Sequence, residues 1–261
     1  MLLRQTILVL VISVVSVIGG KIQSVVQIHN GQEAKPHSHP WLLDMGCAAS
    51  LLRVPYLENA SDIAVTAAHC MGKMESDFTF VCRWRNNDRV YSVVASNHDR
   101  ELKDEGEKTV NLSNVICAPT FNRSTIHHDI ALIKLAEPLK FTNTVQPIEL
   151  PEQDEELTQG TVCTAAGWGN TKYYVGEKRA IHDSEPARFL QEINVTVADQ
   201  SKCQTFGTDY DQESMICFLS VDKKHILRGD SGSALVCEKN KKKTIYGVAS
   251  FITSLKRKWA H

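Results

Sequence analysis

Short apolar runs rich in branched residues, each closed off by polar, turn-forming residues, recur along most of this chain. The clearest are 63–65, 78–82, 90–94, 114–117, 130–135, 161–165, 191–197, 234–237 and 245–250. Side chains branched at Cβ crowd the preceding turn of a helix but pack well on a pleated surface. Strands this short bury too little alone, so several must close into a barrel or stack as a sandwich. The chain is therefore predicted to be all-β. Its 43% hydrophobic content suffices for one substantial core, and no repeat or low-complexity linker divides it. A net charge of −1 offers no electrostatic footprint for nucleic acid.

Residues 1–20 contain one charge, Arg4, and an apolar run over 7–18 that ends in Gly19 and Gly20. That is the layout of a secretory signal peptide. The run is shorter than the roughly 20 residues that span a bilayer, which argues against a retained anchor. Cleavage after Gly19 or Gly20 is expected to release about 240 residues to the extracellular space, free of the membrane. Eight cysteines, an even number, read as disulfides in that compartment. N-x-S/T sequons mark Asn59, Asn111, Asn122 and Asn194 as candidate glycan sites.

Three stretches carry chemistry. Gly229-Asp230-Ser231-Gly232-Ser233 leads into the strand over 234–237. Flanking glycines would uncover the Ser231 hydroxyl and let the N–H groups of Gly229 and Ser231 converge as an oxyanion hole. The same residues also make an ordinary polar hairpin turn, so taken alone the stretch leaves both readings open. A serine hydroxyl is a weak nucleophile unless an imidazole takes its proton and a carboxylate orients the imidazole. Thr66-Ala67-Ala68-His69-Cys70 supplies a histidine after the apolar 63–65, and Asp129 stands at the mouth of the strand over 130–135. His127-His128-Asp129 also contains zinc-ligand residue types. No third cluster at ligand spacing accompanies it, so neither a metal nor a cofactor is expected.

Taken together, T-A-A-H-C, D-I-A-L-I-K-L and G-D-S-G, in the order His, Asp, Ser, resemble the three signature blocks of the trypsin/chymotrypsin-like serine proteases. The resemblance runs from about Ile28 to Phe251 and implies a protease domain over 28–261. It implies two six-stranded antiparallel β-barrels with the active site in the cleft between them. By the same resemblance Ser231 is the nucleophile, His69 the general acid/base and Asp129 its orienter, with oxyanion donors at Gly229 and Ser231. Ser250 stands at the position that pairs with substrate backbone. Ile28-His29-Asn30-Gly31, with Pro40-Trp41 beyond it, stands where the family has its mature N-terminus. A propeptide over 21–27 would be lost and the new Ile28 ammonium would pair with Asp230. Gln27 precedes that cleavage point, where the family has Lys or Arg. Cys47-Ala48-Ala49-Ser50-Leu51-Leu52 resembles the family's C-G-G-S-L-I block and implies a Cys47–Cys70 bridge. Cys163-Thr164-Ala165-Ala166-Gly167-Trp168-Gly169 resembles C-x-x-x-G-W-G and implies Cys163–Cys237. Cys203 and Cys217 have the family spacing for a third bridge, which leaves Cys82 and Cys117, both on predicted strands, for each other. The implied partners are protein or peptide substrates and protein protease inhibitors, met by a monomer.

The departures from the family lie around the specificity pocket. His225 occupies its floor, Leu227 replaces a cysteine that ties its wall, and Phe251-Ile252 stands where the family has Trp-Gly. The sequence ends at His261, before the family's last strand and C-terminal helix, so the second barrel is expected to be incomplete. Two readings follow: a secreted serine endopeptidase working through an acyl-enzyme, or a catalytically silent homologue acting as a binding or regulatory protein. Intact His69, Asp129 and Ser231 favour the first.

Overall fold

The computed structural model describes residues 31–74, 80–83, 85–86, 89–170, 174–175, 181–182, 186–203, 210–220, 226 and 229–254, with the backbone of 13–18. Strand β1 (Ser13–Ile18) comes first. Strands β2 (Leu42–Met45), β3 (Cys47–Leu51), β4 (Ala60–Thr66), β5 (Ser92–Ala95), β6 (Lys108–Cys117) and β7 (Ala131–Lys140) follow. They close a barrel in the order β5-β6-β7-β4-β3-β2, with every pairing antiparallel. Strands β8 (Val162–Gly167), β9 (Gln191–Val197), β10 (Met215–Ser220), β11 (Ala234–Lys239) and β12 (Lys242–Ser254) form the second sheet. Its order is β8-β11-β12-β1-β10-β9, and pairing of β8 with β9 brings the two ends together. The short strand Gln32–Glu33 adds to the outer side of β9.

The second sheet departs from the expected pattern at one place. The second barrel was expected to be incomplete; in the structure β1, which comes from the stretch read as a signal peptide, lies between β10 and β12 and runs parallel to both. Going round through β9, β8 and β11, successive antiparallel steps leave β10 and β12 pointing the same way. A strand antiparallel to both would enter from the opposite end; β1 lies alongside them instead.

Side-chain alternation shows why these segments are strands. In β7, Ala131, Ile133 and Leu135 are buried while Leu132 and Lys134 are only partly so. In β6, Val110, Leu112 and Val115 are all buried, which strict alternation cannot give. A slip in register between Leu112 and Asn114 re-phases the strand and keeps Val115 inside.

Each barrel has its own apolar interior, centred on Leu43, Ile133 and Leu135 in the first and on Ile193, Phe218 and Leu235 in the second. A third cluster, including Trp41, Val65, Ile130, Trp168, Leu190 and Val236, draws on both. Each aliphatic side chain buried in this seam contributes about 1.5–3 kcal/mol, which holds the two barrels against each other.

All four disulfides form as expected. Cys47–Cys70 ties β3 to the 3-10 turn Ala68–Cys70, and Cys82–Cys117 ties the short strand Phe80–Cys82 to the end of β6. Cys163 and Cys237 stand directly opposite each other on β8 and β11, and Cys203–Cys217 fastens the single helical turn Gln200–Cys203 to β10. Among the described residues, no helix is long and apolar enough to cross a membrane.

Candidate active site

His69 lies just beyond β4, in the turn Ala68–Cys70. Ala67 and Ala68 are completely buried, and side chains this small let the backbone tuck under the barrel end and turn the imidazole outward. Asp129, immediately before β7, is also completely buried. A carboxylate taken out of water is costly unless donors surround it. Three do. The His69 backbone N–H donates to Oδ1 at 2.8 Å, the Nδ1–H of the His69 ring donates to Oδ2 at 2.6 Å, and the Ser250 hydroxyl on β12 donates to Oδ2 at 2.5 Å. A carboxylate facing Nδ1 places the ring proton there and leaves the Nε2 lone pair free to accept.

Ser231 sits in a turn bounded by Gly229 at φ +99° and Gly232 at φ +86°, both in the left-handed region that favours glycine. The turn is pressed onto the first barrel. The Ser231 carbonyl accepts from Ala48 N–H at 2.8 Å, and a Cβ on Gly232 would lie 2.0 Å from the Ala48 carbonyl oxygen. On its other side, Gly232 N–H donates to the Ala249 carbonyl at 2.8 Å. Backbone contacts from both barrels thus hold Ser231 beside the wall that carries His69. Ser231 Oγ and His69 Nε2 are not hydrogen-bonded to each other, and Nε2 faces Cys70 Sγ at 3.8 Å. His69 and Asp129 are therefore joined, while His69 and Ser231 are not.

Asp230 is buried, and its Oδ1 accepts from Gly169 N–H at 2.7 Å. Glycine is required around it, because a Cβ would come within 2.3 Å of the carboxylate at Gly167 and 2.4 Å at Gly169. The glycines beside Trp168 were visible in the sequence, but their role as the cradle of Asp230 was not. Ser250 was expected to pair with substrate backbone; the structure shows its hydroxyl donating to Asp129, a contact the sequence did not reveal.

Among the described residues, Cys47, His69 and Cys70 are the group whose donor atoms lie close enough to share a metal ion. Both sulfurs are joined in a disulfide, so they cannot act as thiolate ligands. His127 and His128 stand near Asp211, whose carboxyl is held below its ordinary value first by the Ser214 hydroxyl and then, after opposing burial, by the Glu213 N–H and the two imidazoles. Asn59, Asn111, Asn122 and Asn194 are all exposed. Ile28, His225 and Leu227 lie outside the described residues.

The Trypsin family model matches residues 28–258. Granzyme B of Rattus norvegicus is 29% identical over 237 residues, which cover 86% of this chain and 81% of that protein. Cathepsin G of Mus musculus is 26% identical over 221 residues, covering 81% of this chain and 72% of that protein. Ovochymase-2 of Mus musculus is 28% identical over 246 residues, covering 89% of this chain; the chain spans 36% of that relative's length. Among solved structures, GrC superposes with a TM-score of 0.65 at 25% identity, covering 85% of this chain and 87% of that one. Human heparin binding protein does so with a TM-score of 0.63 at 24% identity, over 85% and 84%, a likeness of fold. Since the family match runs through both barrels and the seam that carries His69, Asp129 and Ser231, the chain belongs to the trypsin family of serine proteases.

Proposed function

We propose that this protein is a secreted serine endopeptidase that cleaves peptide bonds through an acyl-enzyme on Ser231. The observation that carries the reading is the buried Asp129 carboxylate holding His69 Nδ1 at 2.6 Å, which leaves the Nε2 lone pair available as a base. His69 takes the proton of Ser231 as its hydroxyl attacks the scissile carbonyl, and Asp129 stabilises the imidazolium that forms. The N–H groups of Gly229 and Ser231 receive the oxyanion, and His69 then protonates the departing amine. Water, deprotonated by the same imidazole, releases the acyl group. Substrate backbone lies along β12 at Ser250.

In this reading, residues 1–20 direct secretion, 21–27 form a propeptide, and the Ile28 ammonium pairs with Asp230 to order the oxyanion turn. Burial of Asp230 beside Gly167 and Gly169 favours such a pair, since a cation there offsets the cost of a desolvated carboxylate. The partners are protein or peptide substrates and protein protease inhibitors, and the four exposed sequons carry glycans.

A serine-directed fluorophosphonate tests the reading. Folded protein beginning at Ile28 should be labelled, Ser231→Ala should not, and protein still carrying residues 21–27 should react much more slowly. Failure to label the folded protein beginning at Ile28 would sink the protease reading in favour of the silent homologue. Equal rates with and without 21–27 would remove the ammonium switch alone.

A further inference from the structure

We propose that Arg100, in the loop after β5 of the first barrel, is a positioning residue for the oxyanion turn of the second, acting through the Trp168–Gly169 peptide group. Its effect on catalysis rests on the protease reading above; its effect on the geometry of Asp230 does not.

The Arg100 guanidinium is shared between two partners. Nε and Nη2 donate to the two oxygens of Asp44 on β2, at 2.7 and 2.5 Å. Nη1 donates to the Trp168 carbonyl oxygen at 3.1 Å, and the guanidinium carbon lies 5.3 Å from the centre of the Trp168 ring. Asp44 is buried and also accepts from Gly46 N–H and Asn97 Nδ2, so the fork is anchored on a fixed carboxylate. Trp168 is almost fully buried, and its Nε1–H donates to the His98 carbonyl.

The Trp168 carbonyl and the Gly169 N–H belong to one peptide bond. That bond is planar and trans, so the two groups point in opposite directions and cannot turn independently. On one side it receives Arg100; on the other it donates to Asp230 Oδ1 at 2.7 Å. Holding the carbonyl therefore aims the N–H. A cation on the carbonyl also polarises the amide and makes its N–H a stronger donor to the carboxylate. Asp230 is followed directly by Ser231, so the chain of contacts runs from Asp44 through Arg100 and one peptide plane to the turn that presents the nucleophile. Lysine cannot replace this arginine, because a single ammonium cannot span both Asp44 and the Trp168 carbonyl in the geometry of a planar fork. The loop itself has other anchors: Arg100 N–H donates to the Arg188 carbonyl, Leu190 N–H to the His98 carbonyl, and Asp99 pairs with Arg188. Removing the Arg100 side chain thus leaves the loop in place.

The test compares full-length protein processed to Ile28 with its Arg100→Lys, Arg100→Met and Arg100→Ala variants, by fluorophosphonate labelling rate and by backbone hydrogen exchange. Expected are a roughly ten- to hundredfold slower labelling in all three variants, as for a lost bond to a charged group. Exchange should quicken at 167–170 and 229–232 and stay unchanged at 108–117 and 131–140. Guanidinium ion at millimolar concentration should speed labelling of Arg100→Ala and not of the wild type. Unchanged labelling and exchange, or quickening spread evenly over both barrels, would overturn the proposal. If wild-type protein is itself unlabelled, the protease reading falls, and local exchange at 167–170 and 229–232 still decides whether Arg100 positions the turn.

Discussion

Ser250 Oγ donates a 2.5 Å hydrogen bond to Asp129 Oδ2, so the carboxylate that orients His69 from the first barrel is held from the second. The bond reaches across the seam to a carboxylate that is completely buried. Ser250→Ala leaves a buried lone pair with one donor fewer, at a cost of about 1–3 kcal/mol. We expect labelling of Ser231 to slow about tenfold or more and the melting temperature to fall by a few degrees. A variant that melts and reacts as the wild type does would show that the bond holds nothing.

How much of this was legible in the sequence follows from where each contact lies along the chain. His69, Asp129 and Ser231 could be read because each sits in a contiguous block whose neighbours have a local reason to be small, apolar or flexible. The cysteine pairs were likewise visible, since their blocks carry the family resemblance. The Arg100 fork was not, because its partners, Asp44 and Trp168, lie in separate segments and nothing in the residues around Arg100 marks it from any exposed loop arginine. The slip in β6 was invisible for another reason: an alternation broken once looks like noise until the opposite strand shows which residues face inward. The pairing of β1 was not legible because an apolar run near an N-terminus has the composition of a signal peptide and of a strand alike.

Gly232→Ala should be far more damaging than an added methyl group suggests. Its φ of +86° disfavours any Cβ, and that atom would meet the Ala48 carbonyl oxygen at 2.0 Å and Thr66 Oγ1 at 2.4 Å. The first obstacle is backbone and cannot swing aside. The turn must move away from the first barrel, breaking the bond between Ala48 N–H and the Ser231 carbonyl. We expect loss of labelling together with a fall in stability on the order of 2–4 kcal/mol. Denaturant titration beside labelling checks both, and an unchanged midpoint would contradict this packing.

Acid should loosen the joint between the barrels. The Asp99 carboxyl is drawn from its ordinary 3.8 to about 2, first by hydrogen bonds from Arg188, against burial and with help from the Glu101 N–H. A folded-state value below the unfolded one stabilises the protein above pH 4, and that contribution disappears as the pH falls through 2. Melting temperature should therefore drop over this window. Arg188→Met should lie below the wild type near neutrality and approach it toward pH 2. Parallel curves at all pH values would show that the pair is not the source.

The second barrel should be the first part of the molecule to open once residues 1–20 are gone. Strand β1 is hydrogen-bonded to β10 on one side and β12 on the other, and cutting it away leaves two edges with unpaired backbone groups. A domain has only about 5–15 kcal/mol of net stability, so losing one strand of a closed sheet consumes much of it. Cys163–Cys237 and Cys203–Cys217 staple the remaining strands and offset roughly 2–4 kcal/mol apiece. The first barrel keeps its closed ring of antiparallel strands throughout. In limited proteolysis of protein beginning at Ile28, with peptide mapping, we expect the first cuts beyond Cys163, and later cuts there in protein that retains residues 1–20. First cuts confined to the half before Cys163, or equal cutting with and without residues 1–20, would show that β1 does not close the second barrel.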